Sequence, residues 1–358
     1  MSAFSPKSSA TKITSLRCIF DVDSAPMSGS RQILITGGTG FIGRFVVRKL
    51  LDRSAKVRLF CRDESKARRL FGDRVETEIG DLLEPASCRR ACRGVQMVIH
   101  IGGLYRFGRR HRVRMEAVNH RGTENMLQAA WDQRVERFIH VSSSSVLESA
   151  NGLTTEDDFP DHMAAGQHYR RSKWLGERAA LNWAGRGLFV AVASPVAPLG
   201  AEDEEPTPTG QMVLDFLRGR FPFATRTSLN IINVEELGDG ILAVSERGRQ
   251  GERYLLGHHN LTLVELLQLL AACTAKDAPR LCLPLGLIAV AGAIGETIGS
   301  DRVCWETAAH ARRCSRFSCR KALQELGWEA SRPAQQTVRE AVDWFRQRRD
   351  RAATVKSA

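Results

Sequence analysis

Several features that mark large classes of proteins are missing from this sequence. Its apolar run at residues 285–298 is shorter than the roughly 20 residues that a membrane-spanning helix needs. We expect this run to form a buried or interface helix, with contact at a membrane surface as the alternative. The second half also has no metal site, no G-x-S-x-G elbow and no P-loop, so a hydrolase or kinase function has no motif to support it.

The cysteines and the basic residues do not form the patterns of disulfide-rich or nucleic-acid-binding proteins. The nine cysteines are odd in number and lack paired spacing, so we expect reduced thiols and a cytoplasmic location. The formal net charge is +12, yet the arginines are scattered, and no zinc-finger spacing or basic stripe interleaved with aromatics is present. We therefore expect no nucleic-acid partner. Anionic cofactors or a membrane surface would suit this charge instead.

The length and the composition are those of a globular protein. A chain of 358 residues can form one large domain or two closely packed ones, and 43% apolar and 26% charged residues are ordinary proportions. Residues 1–29 are rich in serine, and they contain no apolar core of the kind found in signal peptides. We expect a disordered extension there, with a transit peptide as the alternative.

A cluster of glycines follows the first apolar run. Residues 33–35 predict a buried strand, and the apolar residues after the glycines recur at helical spacing. A strand, a glycine turn and a helix form the binding site for a dinucleotide pyrophosphate, whose charge faces the amides at the start of the helix. Two registers fit: Gly38, Gly40 and Gly43 match G-x-G-x-x-G, and Gly37, Gly40 and Gly43 match G-x-x-G-x-x-G.

The chain then alternates short apolar runs with helical patterns, which predicts an α/β fold with a doubly wound parallel sheet of Rossmann type. Such sheets bind ligands at the carboxyl ends of their strands. The glycines, Arg62, Asp81, Gly102 and the serines at 142–145 all follow strand ends. The further predicted strands are residues 56–61, 75–79, 96–101, 138–141 and 188–193.

The residues after the second predicted strand bear on the choice of cofactor. An acid at this point selects NAD by binding the ribose hydroxyls, and a base accepts the 2′-phosphate of NADP. Arg62 is the first polar side chain past the strand, and Asp63 follows it. We therefore predict NADP, with NAD possible. The alternative is a solvated basic helix face, since Lys66, Arg68 and Arg69 follow.

Tyr169 and Lys173 are four residues apart, which places them on one face of a helix. A free tyrosine has a pKa near 10, and a lysine ammonium beside it favours the phenolate. A serine from the end of the fifth strand could hold the substrate oxygen while hydride moves between the carbinol carbon and nicotinamide. A tyrosine that serves only in packing is the alternative, although the chain has just three tyrosines.

With these residues the chain resembles the extended short-chain dehydrogenases/reductases over residues 31–347. The positions that match the family pattern are the Tyr169–Lys173 pair, Asp81, Asn119 and the glycine register that begins at Gly37. The resemblance implies a catalytic set of Ser143, Tyr169, Lys173 and Asn119, with Ser144 as the alternative serine and Asn119 holding a water and the lysine's helix. It implies a cofactor site formed by Gly37, Thr39, Gly40, Phe41, Ile42, Gly43, Arg62, Asp81, Leu82, Tyr169, Lys173, Pro195 and Val196.

Within that family, the second half is similar to the hopanoid-associated sugar epimerases and the dihydroflavonol-reductase-like proteins. The segments that carry this similarity are residues 206–210, 215–219, 251–257, 260–263 and 321–328. His168 stands where relatives outside this group often have proline or alanine, and the Asp-Glu pair of the dehydratase branch is missing. Because Arg62 indicates an exchangeable NADP, carbonyl reduction is favoured, and sugar epimerisation through a transient ketone is the alternative.

The resemblance also implies an organisation and a set of partners. We expect a nucleotide-binding domain at residues 30–200, to which 231–260 return, and a smaller, mostly helical substrate domain at 201–230 and 261–348. Residues 349–358 are predicted to be a disordered tail. The expected substrate is a sugar, a polyol or a terpenoid-type alcohol or ketone, and the expected assembly is a homodimer with possible peripheral membrane contact.

Overall fold

A computed structural model describes residues 31–106, 108–149, 152–163, 166–221, 223–225, 227–279, 281–284, 286–287 and 316–357. The predicted extension at residues 1–29, and all but two residues of the apolar run at 285–298, lie outside this part of the chain. Among the described residues, no helix is both long and apolar enough to cross a membrane.

Seven parallel strands form the central sheet, in the spatial order β11–β7–β5–β4–β1–β2–β3. The strand order reverses beside β1, because β2 pairs with one of its edges and β4 with the other. This position is the topological switch point of the sheet, and ligands of such folds bind there. The strands are β1 (Gln32–Thr36), β2 (Lys56–Cys61), β3 (Glu76–Ile79), β4 (Met97–His100), β5 (Arg137–Val141), β7 (Val190–Pro195) and β11 (Arg253–Leu256).

Helices cover both faces of this sheet, as a buried parallel sheet requires. Side chains of β1 alternate between the faces: Ile33 and Ile35 pack with α1 and α8, and Leu34 packs with α3, α5 and α6. The helices of this part are α1 (Phe41–Asp52), α2 (Glu64–Phe71), α3 (Pro85–Ala91), α4 (Arg112–Glu116), α5 (Gly122–Asp132), α6 (His168–Gly185) and α8 (Val234–Arg247).

A separate hydrophobic cluster lies among elements of the second half of the chain. It joins α7, α9 and α11 to a three-stranded sheet, in which β10 lies between β8 and β12. The remaining elements are β6 (Leu153–Thr154), β8 (Ala197–Leu199), α7 (Pro208–Leu217), β9 (Ala224–Thr225), β10 (Ser228–Asn233), β12 (His259–Thr262), α9 (Leu263–Thr274), β13 (Cys282–Leu283), β14 (Arg316–Phe317), α10 (Arg320–Leu326) and α11 (Ala334–Ser357). Two short parallel pairs, β9–β13 and β6–β14, lie outside both larger sheets.

The segment predicted to return to the nucleotide-binding half divides between the two sheets. Helix α8 packs against α1, and β11 pairs with β7 at the edge of the central sheet. In contrast, β10 and β12 belong to the smaller sheet. The division into a cofactor domain and a substrate domain stays a prediction.

Three local predictions differ from the structure. The sequence pattern predicts one long helix at 113–131, whereas the structure has a π-helical turn at Ala117–Arg121 between α4 and α5. Gly122 is needed there because a Cβ would lie 2.9 Å from Leu82 Cβ. The sixth predicted strand, 188–193, continues through Pro195, whose missing amide breaks no strand pairing. Helix α11 extends to Ser357, since neither proline nor glycine interrupts the predicted tail.

The close approach of α1 to the glycine turn gives a test of this architecture. A Cβ at Gly43 would clash with the carbonyl oxygen of Gly37, so Gly43→Ala should destabilise the protein by about 1–3 kcal/mol. Gly185→Ala is the matched control, because no atom lies within 4 Å of the added Cβ at this end of α6. Urea denaturation measures both variants, and equal stabilities would contradict the packing described here.

Candidate active site

The glycine turn lies between β1 and α1. Gly37 has a φ of +70°, and a Cβ on it would lie 2.7 Å from the backbone nitrogen of Gly102 at the end of β4. The amide of Gly40 donates to the Gly37 carbonyl oxygen at 3.0 Å and closes the turn. Gly38 is instead packed on the Leu59 side chain. The geometry therefore favours the register of Gly37, Gly40 and Gly43 for the turn itself.

The first turn of α1 is suited to a pyrophosphate. The helix begins at Phe41, and its N-cap residue, Gly40, has no side chain to accept from the first amides. Thr39, Phe41 and Ile42 are half-buried around this helix start. Unsatisfied amides at the positive end of a helix dipole bind phosphate groups. The residues present thus fit a dinucleotide.

The polar residues at the ends of β2 and β3 differ in the hydrogen bonds that their side chains make. Arg62 is exposed, and within the described part of the chain its side chain makes no hydrogen bond or ion pair. Asp63 caps α2, since its carboxylate accepts from the Lys66 amide at 2.9 Å. The Asp81 carboxylate accepts from the Leu83 amide at 2.9 Å. Leu82 lies in the wall below Gly102, with its Cδ1 3.1 Å from a Cβ placed there.

Lys173 of α6 carries its amine into the interior. The side chain is 7% exposed, and Nζ donates to the carbonyl oxygen of Val141, the last residue of β5, at 2.8 Å. Burial lowers the pKa of the Lys173 amine to about 8, although the carboxylate of Glu177 opposes this shift. The lysine therefore remains mostly protonated at neutral pH and is close to its titration range.

Tyr169 lies in the first turn of the same helix and is 9% exposed. Its ring lies over that of Tyr105, with 4.2 Å between the ring centroids and 31° between the planes. Tyr105 comes from the loop that follows β4. Tyr105 is not among the residues that the sequence predicts for the site. The contact between Tyr105 and Tyr169 joins segments that are distant in the sequence, and the only signal for it in the sequence is that tyrosine is scarce.

Asn119, in the π-helical turn, connects the loop of Tyr105 to the helix of Tyr169. Its Oδ1 accepts from the Leu104 amide at 2.6 Å, and its Nδ2 donates to the Leu104 carbonyl oxygen at 2.9 Å. The same Nδ2 also donates to Ser172 Oγ at 2.9 Å, and Ser172 Oγ donates to the Tyr169 carbonyl oxygen at 2.7 Å. Asn119 thus holds two backbone segments in place, the one beside Tyr105 and, through Ser172, the one at Tyr169.

The serines after β5 have different partners. Ser142 Oγ donates to the carboxylate of Glu177. Ser143 Oγ accepts from the Ser145 amide at 3.2 Å and lies 2.9 Å from Ser145 Oγ. Ser144 is 8% exposed. The choice between Ser143 and Ser144 as the substrate-binding serine remains a prediction.

Glu177 is a second buried residue of this region that the sequence does not predict for the site. It is fully buried, and Arg253 of β11 forms an ion pair with it. Arg253 Nη1 also donates to the Glu156 carbonyl oxygen at 2.8 Å. The signal that could have found Glu177 is its spacing, since it follows Lys173 by four residues and so shares its helix face.

A row of buried polar residues fixes the strand ends below the glycine turn. Thr36 Oγ1 lies 2.8 Å from His100 Nδ1, and His100 Nε2 lies 3.1 Å from Thr123 Oγ1. Thr36 Oγ1 also accepts from the Gly102 amide at 3.0 Å. Burial lowers the pKa of His100 to about 3, and burial lowers that of His140 well below its usual value. Both imidazoles are therefore neutral beside Lys173.

Two further predicted residues lie at the end of β7. Pro195 is the last residue of this strand, and the amide of Val196 donates to the Leu256 carbonyl oxygen at 3.0 Å. Val196 is 4% exposed. Both residues lie at the carboxyl edge of the sheet, on which the glycine turn, Val141 and the serines also lie. In the described residues, no three His, Cys, Asp or Glu side chains come together as a metal site.

A doubly wound parallel sheet, a glycine turn after its first strand and a buried Tyr-x-x-x-Lys pair define an extended short-chain dehydrogenase/reductase. Residues 33–257 match the model of the NAD dependent epimerase/dehydratase family, and the chain belongs to this family. It is an NAD(P)-dependent enzyme, either an oxidoreductase or an epimerase. The predicted family and fold class are thereby confirmed.

Three similar proteins illustrate the range of this family. The chain is 31% identical over 323 residues to the "Putative dihydroflavonol 4-reductase" of Synechocystis sp., covering 87% of this chain and 93% of that protein. It is 32% identical over 252 residues to the sterol demethylase protein B of Methylococcus capsulatus, covering 70% and 77% of the two chains. The crystal structure of a nucleoside-diphosphate-sugar epimerase from Pseudomonas aeruginosa has a TM-score of 0.76 and 27% identity, covering 89% and 98%.

The burial of Lys173 predicts an unusual dependence of stability on pH. Its pKa is 10.5 in ordinary surroundings and about 8 in the folded protein. Between these values the unfolded chain holds a proton that the folded chain has released, so the stability of the wild type rises with pH across this window. Lys173→Met removes this term of the free energy of unfolding. The free energy of unfolding of the variant, relative to that of the wild type, should therefore fall by about 2 kcal/mol between pH 7 and pH 9.5.

Urea denaturation at the two pH values measures this difference. Lys56→Met, at an exposed position on β2, is the control for the substitution itself. A difference between Lys173→Met and the wild type that does not change with pH would show that the amine is not buried as described.

Proposed function

We propose that this protein is an NADP-preferring oxidoreductase that interconverts a ketone and a secondary alcohol, and that it works chiefly as a carbonyl reductase. The observation that carries the proposal is the buried Tyr169–Lys173 helix at the carboxyl edge of the sheet, with Lys173 Nζ 2.8 Å from the Val141 carbonyl oxygen. This arrangement brings a proton donor and a cation to the edge on which the glycine turn lies.

The side chains of the site have separate tasks. The bound dinucleotide supplies hydride from its nicotinamide ring. The Tyr169 hydroxyl donates its proton to the substrate oxygen, and the Lys173 ammonium stabilises the phenolate that remains. Ser143, or Ser144 in its place, donates a hydrogen bond to the same oxygen. Asn119 keeps the helix of Lys173 in position through Ser172.

The preference for NADP is supported by a difference between Arg62 and Asp63 in the hydrogen bonds that their side chains already make. Arg62 is exposed and unpaired among the described residues, so it can accept a 2′-phosphate. Asp63 is the acid that could bind the ribose hydroxyls of NAD, but its carboxylate already accepts from the Lys66 amide. A capping carboxylate is a poorer ribose ligand because one of its oxygens is occupied.

The names of the relatives bear on the substrate. The putative dihydroflavonol 4-reductase and the sterol demethylase protein B support a sugar, polyol or terpenoid-type alcohol or ketone as the substrate. The similar epimerase structure supports the second candidate, a nucleotide-sugar or hopanoid-linked sugar epimerase. We propose a cytoplasmic homodimer for either activity, with possible peripheral membrane contact.

Tyr169→Phe tests the site. The variant should lose turnover of a panel of ketones and alcohols by at least about 100-fold, because it has no proton to donate, and should still bind NADPH. Tyr254→Phe is the matched control, since the Tyr254 hydroxyl donates to Glu325 at 2.9 Å and is therefore engaged elsewhere. Full activity in Tyr169→Phe would remove this residue from the mechanism.

The purified protein distinguishes reductase from epimerase. A reductase exchanges its cofactor, so we expect little bound nucleotide and turnover of added NADPH. Tightly retained NAD, with no turnover of NADPH, would contradict the reductase and support the epimerase.

The Arg62→Ala variant tests the cofactor preference: it should weaken NADPH binding and spare NADH binding. The control is Arg68→Ala, which should affect neither, because Arg68 is an exposed arginine paired with Glu64. Equal losses for both cofactors in Arg62→Ala would refute the proposed preference.

A further inference from the structure

Four consecutive acidic residues connect the two halves of the molecule, and the proposed function gives them no role. Glu202, Asp203, Glu204 and Glu205, here called the acidic strap, follow β8 and precede α7. Glu202 has a φ of +68°, an uncommon conformation for a residue with a side chain. Such a conformation persists only where the surroundings impose it.

The inner part of the strap is held on the helix of the glycine turn. Arg44 is 2% exposed, and its Nη1 donates to Glu202 at 3.3 Å and to Glu204 at 3.0 Å. The same guanidinium donates to the carbonyl oxygens of Thr39 and Gly40 at 3.4 Å each. Arg48 adds a bidentate pair with Glu202, at 2.6 and 2.9 Å. The strap is thereby fixed to the turn that would hold the pyrophosphate.

The second half fixes the strap from the other side. Asp203 is 2% exposed and accepts from the Thr207 amide at 2.9 Å and from its hydroxyl at 2.8 Å. Gly210 of α7 leaves the room for this carboxylate, because a Cβ would clash with it. Arg348 of α11 donates to the carbonyl oxygen of Glu204. The backbone before Glu205 therefore has a defined position.

Glu205, at the outer end of the strap, faces the basic residues beside the cofactor site. Its carboxylate lies 3.1 Å from Lys66 Nζ and 3.6 Å from the Arg106 guanidinium. Lys66 is in the first turn of α2, four residues after Arg62, and the Glu205 side chain is 70% exposed. Lys66 thus belongs to the helix that follows the end of β2, the strand end at which a dinucleotide places its adenosine ribose.

We propose that Glu205 is a specificity-determining residue for the cofactor: its carboxylate competes with the 2′-phosphate of NADP for Lys66. The inference rests on the proposed use of NADP. In the free protein the Glu205 carboxylate neutralises Lys66, and a 2′-phosphate must displace it to reach the ammonium. A cofactor without this phosphate leaves the pair intact. The strap therefore weakens the binding of NADP relative to the binding that Arg62 and Lys66 alone would give.

Calorimetric titration with adenosine 2′,5′-bisphosphate and with adenosine 5′-monophosphate tests this directly, without a substrate. Glu205→Gln should tighten the binding of the bisphosphate by about two- to fivefold, since exposed ion pairs are weak, and leave that of the monophosphate unchanged. Glu64→Gln is the matched control, because Glu64 is an exposed acid of α2 that pairs with Arg68 and not with Lys66.

A second variant shows whether the effect passes through the lysine. In a Lys66→Gln background, Glu205→Gln should no longer change the ratio of the two affinities. If the wild type prefers the bisphosphate but Glu205→Gln leaves the ratio unchanged, the competition is overturned and the NADP preference stands. If the wild type and Glu205→Gln both bind the two nucleotides equally, the competition and the NADP preference are both overturned.

Discussion

The hydrogen bond from Lys173 to the carbonyl oxygen of Val141 is the interaction on which the site depends. It fastens the helix that carries Tyr169 to the end of β5, on the edge of the sheet that also carries the glycine turn. A buried ammonium is costly unless it has partners. The protein provides a carbonyl acceptor and, four residues further along the helix, the carboxylate of Glu177. Burial lowers the pKa of the amine to about 8, and in the proposed mechanism the ammonium supports acid–base chemistry at the tyrosine.

Two other connections hold the surroundings of this helix. Asn119 ties the loop of Tyr105 to α6, so that the two tyrosine rings meet. Arg44 ties the glycine turn to the acidic strap that connects the two halves. Both connections use buried polar side chains that satisfy backbone groups of loops, which have no repeating hydrogen bonds of their own. The fold thus fixes the cofactor turn and the tyrosine helix by polar contacts and not only by its apolar core.

What the sequence predicts well is local. The strand, turn and helix around Gly37, and the face shared by Tyr169 and Lys173, follow from spacing alone, because backbone geometry determines which side chains are neighbours. The contacts of Tyr105, Arg44 and Glu205 could not be predicted in this way, since each joins segments that are distant in the sequence. The π-helical turn at Asn119 was also missed: it keeps the helical pattern and changes only the local hydrogen bonds.

Tyrosine labelled with carbon-13 at Cζ tests most directly whether Lys173 makes Tyr169 an acid–base group. The chain has three tyrosines, so three signals are expected in an NMR titration. We predict that Tyr169 titrates at a lower pH than Tyr254, whose pKa is raised by burial, and that Lys173→Met moves the Tyr169 signal to higher pH. A Tyr169 signal that titrates with Tyr254 and does not respond to Lys173→Met would contradict the account.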